Sequence, residues 1–300
     1  MRKQGHDGIH TILRLWRLPS STSYRTTYPT SFTRDVHPKR IHSHNDYWRR
    51  VPFYSAIAVG AISVEADVWE YGSELFVGHD TASLSRNRTL RELYVLPMLR
   101  VLGEMNRDDP IPQLPREHAL HGVFDMDARQ TLNFYIDLKT PGATTLPVVI
   151  AQLEPLRSPR NFLTHWNGTH LVHGPVTVHL TGDTPFDLML QHDYRDYFYD
   201  APVKDMASGK YNTTNTLMSN APFSKVIGRV FWGQGGMGRP MKDKVRAHLK
   251  EAHARGIGVR YWDTPVWPIS VRNDVWGQLV RLGVDLLSVD DLKGAADMVW

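Results

Sequence analysis

No cysteine occurs anywhere in this 300-residue chain. That excludes a disulfide scaffold, an iron–sulfur cluster, a cysteine nucleophile and any zinc site built on thiolates. Long hydrophobic runs are missing too: none approaches the roughly 20 residues that cross a bilayer, so no transmembrane segment is expected. Acidic residues are scarce at the beginning. Residues 1–40 hold eight Lys/Arg against two Asp/Glu, whereas residues 41–300 hold 27 against 29. The overall net charge of +4 therefore belongs to the first forty residues, and the rest of the chain lacks the basic surface of a nucleic-acid partner. What is present, 41% hydrophobic and 22% charged residues, is the composition of a folded chain with a full core.

The stretch 1–40 reads as a separate basic arm, disordered or a targeting segment. Ile9, Ile12, Leu13 and Trp16 fall on one face of a short helix, with Arg14 and Arg17 off that face. An Arg- and Ser-rich amphipathic start has the form of a mitochondrial transit peptide. Three N-x-S/T sequons, at Asn87, Asn167 and Asn212, point instead toward the secretory pathway, although the continuous apolar core of a secretory signal is missing. Both destinations stay open. Oligomeric state is not legible.

From residue 41 onward strand-like and helix-like segments alternate. Strands are expected at 40–43, 61–68, 74–78, 131–138, 175–180, 197–200, 228–232, 257–262 and 284–289. Helices are expected at 52–60, 89–104 with an interruption at Pro97, 144–154, 185–193, 240–255 and 272–282, and a long surface loop over 104–128. The strands are rich in Val, Ile, Leu and Phe, as suits strands buried on both faces. Repeated strand–helix alternation over some 260 residues predicts an α/β fold, a (β/α)8 TIM-type barrel spanning 41–300 as one domain. A doubly wound sheet is the runner-up, weakened because no G-x-G-x-x-G follows the first strand.

Four polar clusters stand at expected strand ends, where such a barrel keeps its active site: His42 to Tyr47, Val64 to Val68, Val77 to Asp80, and Ile136 to Thr140. Residues i and i+2 of a strand project to the same side, so Glu65 and Asp67 point together, as do Asp137 and Lys139. Converging carboxylates repel unless a cation lies between them. That cation is either a hard metal ion such as Mg²⁺ or Ca²⁺ or the side chain of a Lys or Arg. His44, Asn45 and His79 would each be unremarkable alone; their grouping at successive strand ends singles them out.

The runs S-H-N-D-Y (43–47), V-E-A-D-V-W (64–69) and V-G-H-D (77–80) resemble the barrels of phosphoinositide-specific phospholipase C and glycerophosphodiester phosphodiesterase. They are closer still to the fungal altered-inheritance-of-mitochondria protein family within that superfamily. Similarity continues through Y-I-D-L-K-T (135–140), V-R-Y-W-D-T-P (259–265) and L-G-V-D-L-L-S-V-D-D-L (282–292). The resemblance implies a PLC-like phosphodiesterase barrel acting on a small-molecule or lipid phosphodiester. His44 and His79 fall at the catalytic histidines, Asn45, Glu65, Asp67 and Asp137 at the metal ligands, Lys139 at a phosphate contact, and Trp262 at an aromatic that walls the pocket. The chain departs from the pattern at one point. Glycerophosphodiesterases carry His-Arg-Gly after the first strand, and this chain has His44-Asn45-Asp46, so the phosphate-binding arginine is missing there and the resemblance implies a phospholipid or glycerophosphodiester-like substrate without fixing which.

On this reading His44 takes a proton from the attacking hydroxyl, His79 protonates the leaving oxygen, and Lys139 offsets charge on the phosphorane. Two other readings remain: an inactive barrel that binds a lipid headgroup or a protein, and an amidohydrolase-type zinc barrel using His42, His44, Lys139, His179 and Asp290.

Overall fold

The computed structural model describes residues 32–106, 120–231, 233 and 235–300. Residues 1–31, and with them the amphipathic face at Ile9 to Trp16, lie outside the described residues. Phe32 and Thr33 are already part of the body: Phe32 packs edge-on against Tyr54, and the Thr33 hydroxyl donates to Asp125 at 3.1 Å.

Eight parallel strands close into a barrel: β1 (Lys39–Ser43), β2 (Ala61–Tyr71), β3 (Leu132–Leu138), β4 (Val176–Gly182), β5 (Tyr197–Pro202), β6 (Met218–Pro222), β7 (Gly258–Trp262) and β8 (Leu286–Val289). Each pairs with its neighbours in sequence, and β1 pairs with both β2 and β8, which completes the ring. The protein is thus an α/β TIM-type barrel. Helices α1 (Leu96–Met105), α2 (Gly142–Gln152), α3 (Arg239–His253) and α4 (Ile269–Leu282) pack outside it. On α3 the buried positions are Val245, Leu249 and Ala252, and on α4 they include Val271, Val275 and Leu279, the helical spacing of one covered face.

Inside the ring the usual branched aliphatic filling gives way to polar side chains. The odd-numbered strands contribute His42, Tyr135, Asp200 and Arg260, which touch one another across the ring. The Arg260 guanidinium lies 4.4 Å over the Tyr135 ring, donates to Asp200 Oδ2 at 2.8 Å and stands 3.1 Å from His42 Nε2. Tyr135 also stacks on His179 of β4, whose Nε2 is 2.9 Å from Asn133 Oδ1. Contacts between strands so far apart in the ring are made only within it. The outward residues of β2 and β3, Val64, Ala66, Phe134 and Ile136, are fully buried under the helices.

Several expected elements differ. No strand forms at 228–231; the sixth barrel strand is Met218–Pro222, whose M-S-N-A-P composition hides it, because Asn220 faces inward and Pro222 ends the strand. Phe231, the apolar residue that suggested a strand, is exposed. The helix expected at 185–193 shrinks to Phe186–Met189, and that at 52–60 to Tyr54–Ile57. The helical run continues through Pro97, and the interruption expected there takes the form of a π-turn over Arg91–Val95 directly before α1, of which Pro97 is the second residue. The segment at 74–78 forms a strand, Glu74–Val77, that lies outside the barrel ring and pairs antiparallel with the end of β2. Of the loop expected at 104–128, residues 120–128 are irregular, yet Val123 and Phe124 are buried in the core.

Candidate functional site

The site forms at the C-terminal ends of β1, β2 and β3. On β2 the alternation brings Glu65 and Asp67 to the inner face, and Asp67 stands in register with Asp137 of β3. One carboxylate oxygen from each of Glu65, Asp67 and Asp137 lies within 4.8 Å of the other two. Gly182, at the end of the adjacent β4, makes the room: a Cβ there would lie 2.0 Å from Asp137 Oδ1.

Lys139 reaches over this group, its Nζ 2.7 Å from Asp137 Oδ2 and 3.1 Å from Asp67 Oδ2. One lysine does not balance three acids. Burial and the neighbouring Glu65 and Asp137 push Asp67 up to about 7, and burial raises Asp137 as well. Glu65 goes the other way: burial opposes its charge, but His44, His42 and Arg260 hold it well below the carboxylate range. Burial opposes the charge of Lys139, and the two aspartates more than restore it. Asp137 Oδ1 is buried with no hydrogen-bond partner. Hard carboxylate oxygens in excess of their cations, one of them unpartnered, are a donor set that a divalent metal ion fits.

The loop after β1 is built to hold two polar side chains at the rim. Asn45 is left-handed (φ 49°), a conformation asparagine tolerates, and its backbone N–H donates to Glu65 Oε2 at 3.0 Å. Asp46 is structural: it accepts from the Ser43 hydroxyl and from the Phe53 amide, both at 2.6 Å. Arg49 fastens the loop across the barrel end by donating to the carbonyls of His44 and Val289.

His44 Nδ1 is 2.9 Å from Asp290 Oδ1 at the end of β8, and its Nε2 is 3.8 Å from Glu65 Oε2. Burial works against its charge, but these two carboxylates raise its pKa above the usual imidazole value. His79 stands on the other flank, half-exposed, with Nδ1 3.7 Å from Asp67 Oδ2 and its ring beside Trp48. The hairpin returning along β2 delivers it. Within that turn Gly78 passes so close to Ser83 that a Cβ would lie 2.5 Å from its hydroxyl.

Two residues of the site escaped sequence reasoning. The Tyr47 hydroxyl lies 2.8 Å from Asp67 Oδ2, 2.5 Å from Asn45 Oδ1 and 3.1 Å from His79 Nδ1, so it links three of the singled-out residues. Burial and the Asp67 charge raise its pKa and keep it protonated. Tyr47 stood inside the S-H-N-D-Y run, but nothing in the run tells which way its ring turns. Asp290 was considered only as a zinc ligand, and it serves instead as the acceptor beside His44. Asn45 meets the acids through its backbone and through Tyr47, its own Oδ1 being engaged by the tyrosine. Trp262 lines a cavity of about 300 Å³ beside His44 and donates from Nε1 to Asn220 Oδ1 at 3.1 Å.

The imidazoles that a zinc barrel would need do not gather. His42 is enclosed between Ser63 and Arg260, and His179 is committed to Asn133. Burial and the Arg260 charge push both down to about 3. Among the described residues the acidic trio is the group with metal-ligand spacing.

Residues 30–200, more than half of the chain, match the family model described as AIM6-like phosphodiesterase domain. The altered inheritance of mitochondria protein 6 homolog of Arthroderma benhamiae is 40% identical over 276 residues, covering 89% of this chain and 86% of the relative. The altered inheritance of mitochondria protein 6 of Eremothecium gossypii is 35% identical over 286 residues (88% and 70%), and that of Lachancea thermotolerans 33% over 323 residues (96% and 73%). No helix among the described residues is long and apolar enough to cross a membrane. The chain, with its acids, imidazoles and lysine at the barrel mouth, belongs to the altered inheritance of mitochondria protein 6 family and carries that family's phosphodiesterase-like domain.

Proposed function

We propose that this protein is a metal-dependent phosphoric diester hydrolase acting at the C-terminal mouth of the barrel on a lipid or small-molecule phosphodiester. The observation that carries the reading is the meeting of Glu65, Asp67 and Asp137 oxygens within 4.8 Å, with an imidazole on either flank. Glu65, Asp67 and Asp137, with Asn45 beside them, would hold Mg²⁺ or Ca²⁺, which when bound polarises a phosphoryl oxygen as a Lewis acid.

The protein's own groups handle the protons. His44, oriented through Nδ1 by Asp290, accepts the proton of the attacking hydroxyl at Nε2, and the carboxylates that raise its pKa make it a stronger base. His79 gives a proton to the leaving oxygen from the opposite flank. Its Nδ1 lies against the Tyr47 hydroxyl, which leaves Nε2 for the substrate. Lys139, tethered to two aspartates, offsets negative charge on the equatorial phosphoryl oxygens. Trp262 walls the space for the group attached to the phosphate. A hydroxyl vicinal to the phosphate would be the attacking group and yield a cyclic phosphate; without one, water attacks.

The test is release of 4-nitrophenol from bis(4-nitrophenyl) phosphate, and of products from a lysophospholipid and glycerophosphodiester panel, with and without Mg²⁺ or Ca²⁺. Metal-stimulated release that Glu65→Gln abolishes supports the reading. Absence of metal-stimulated release from every compound would overturn it and leave a barrel that binds and does not cleave.

A further inference from the structure

The cavity beside His44 has a charge of its own. Three carboxylates line it, Asp263, Asp290 and Asp291, against a single permanent cation, Arg272. That guanidinium is fully committed. Its Nη1 donates to Asp291 Oδ2 at 2.7 Å, its Nε and Nη2 donate to Asn273 Oδ1, and its plane lies 4.5 Å over the Trp276 ring. Asp290 already serves His44. Asp263 accepts from the Ser224 hydroxyl, and among the described residues no cation pairs with it. It is also held at φ 57°, the left-handed region, where a non-glycine residue is uncommon. Even with His44 protonated, the lining residues keep one net negative charge; Arg49, behind the wall, offsets Asp290 and Asp291, and no ion pair joins it to Asp263. The Ser288 hydroxyl adds an independent sign of a ligand. The residue is 5% exposed, lines the cavity, and its Oγ has no hydrogen-bond partner. The wall also carries the half-buried Trp262 indole and the exposed Val266 side chain.

We infer that this cavity receives an organic cation, a protonated amine carried by the group attached to the substrate phosphate. An acidic or phosphorylated group would meet three carboxylates there and be repelled. An ammonium is attracted by Asp263, can lie against the face of Trp262, and supplies an N–H to the Ser288 hydroxyl, which a quaternary nitrogen does not. That the cation belongs to a substrate rests on the phosphodiesterase reading; the affinity for it does not.

Calorimetric titration of the full chain at pH 7 with ethanolamine, choline, propan-1-ol and inorganic phosphate tests this without any turnover. Ethanolamine should bind about tenfold or more tighter than uncharged propan-1-ol, and phosphate should not enter the cavity. Asp263→Asn keeps a side chain that tolerates the left-handed backbone and should erase most of that preference. Ser288→Ala should weaken ethanolamine and leave choline unchanged. Equal binding of ethanolamine and propan-1-ol, or a preference that survives Asp263→Asn, overturns the inference. An ethanolamine affinity indifferent to Ser288→Ala overturns the N–H contact. If ethanolamine binds but no phosphodiester is cleaved, the catalytic reading fails and the cation site stands.

Discussion

The two faces of the barrel wall are written on the same strands and obey different rules. On β2 and β3 the outward residues Val64, Ala66, Val68, Phe134, Ile136 and Leu138 are apolar and buried under the helices. The inward residues between them, Ser63, Glu65, Asp67, Asn133, Tyr135 and Asp137, are polar, and they end in a crowd of carboxylates. The outer face is where burial of apolar surface supplies stability. The inner face gives up that contribution. It holds buried charge in place through the Arg260–Asp200 pair and leaves the acids at the mouth under mutual repulsion. One surface keeps the ring folded, and the other keeps a reactive arrangement ready inside it.

Substitutions at adjacent positions test this division. The largest effect is expected on catalysis: His44→Ala and His79→Ala should each lower turnover of bis(4-nitrophenyl) phosphate by about 10²–10⁴, with urea unfolding nearly unchanged. Turnover within a few-fold of the native protein would break the assignment of the inner face to chemistry. Next, Arg260→Met should cost about 3–5 kcal/mol of folding stability, because it strands Asp200 as an uncompensated buried group. Adding Asp200→Leu to that variant should recover most of the loss. On the outer face, Ile136→Ala should cost about 2–5 kcal/mol through the cavity it leaves, while turnover stays within a few-fold, although both sequence neighbours of Ile136 face the interior. A large loss of turnover with unchanged stability would mean that the two faces are not separable.

The last effect, spread over a pH window and not set by a single contact, concerns acid. His179 is fully buried and its pKa is pushed down to about 3, whereas an unfolded histidine protonates near 6.5. Between those values the unfolded chain binds a proton that the folded chain refuses, so stability falls as pH drops through that window. Its share is about 1.4 kcal/mol per pH unit. Unfolding midpoints measured from pH 6.5 to 4 should decline less steeply in His179→Gln, and an unchanged slope would show that the buried imidazole is not the source.

The outer face was largely legible, because apolar runs such as A-I-S-V-E-A-D-V and L-N-F-Y-I-D-L announce strands that pack on helices. Glu65, Asp67, Asp137 and Lys139 were legible too, since two-residue spacing forces a shared direction on any strand. The sixth strand was not. Its inward positions are Met218, Asn220 and Pro222 and its outward ones the small Ser219 and Ala221, so it carries no aliphatic run, whereas the apolar residues of 228–232 misled. The central layer was equally hidden. His42 and Arg260 are 218 positions apart, and only closure of the ring makes them neighbours; nothing local in V-R-Y-W tells that the arginine turns inward. Tyr47 was visible as a letter in a motif and invisible as the hydroxyl linking Asn45, Asp67 and His79.

The return of the chain along β2, which sets His79 back at the rim, has a consequence for how such a molecule diversifies. Every group assigned to proton transfer, ion holding or charge offset lies between positions 44 and 139, apart from the orienting Asp290. The recess that would choose among headgroups is supplied almost wholly by residues 262–291. Taste and bite are thus encoded at opposite ends of the barrel sequence. On the proposed reading, drift in the later loops would re-aim the molecule at a new ester while the earlier strands keep the groups assigned to cleavage.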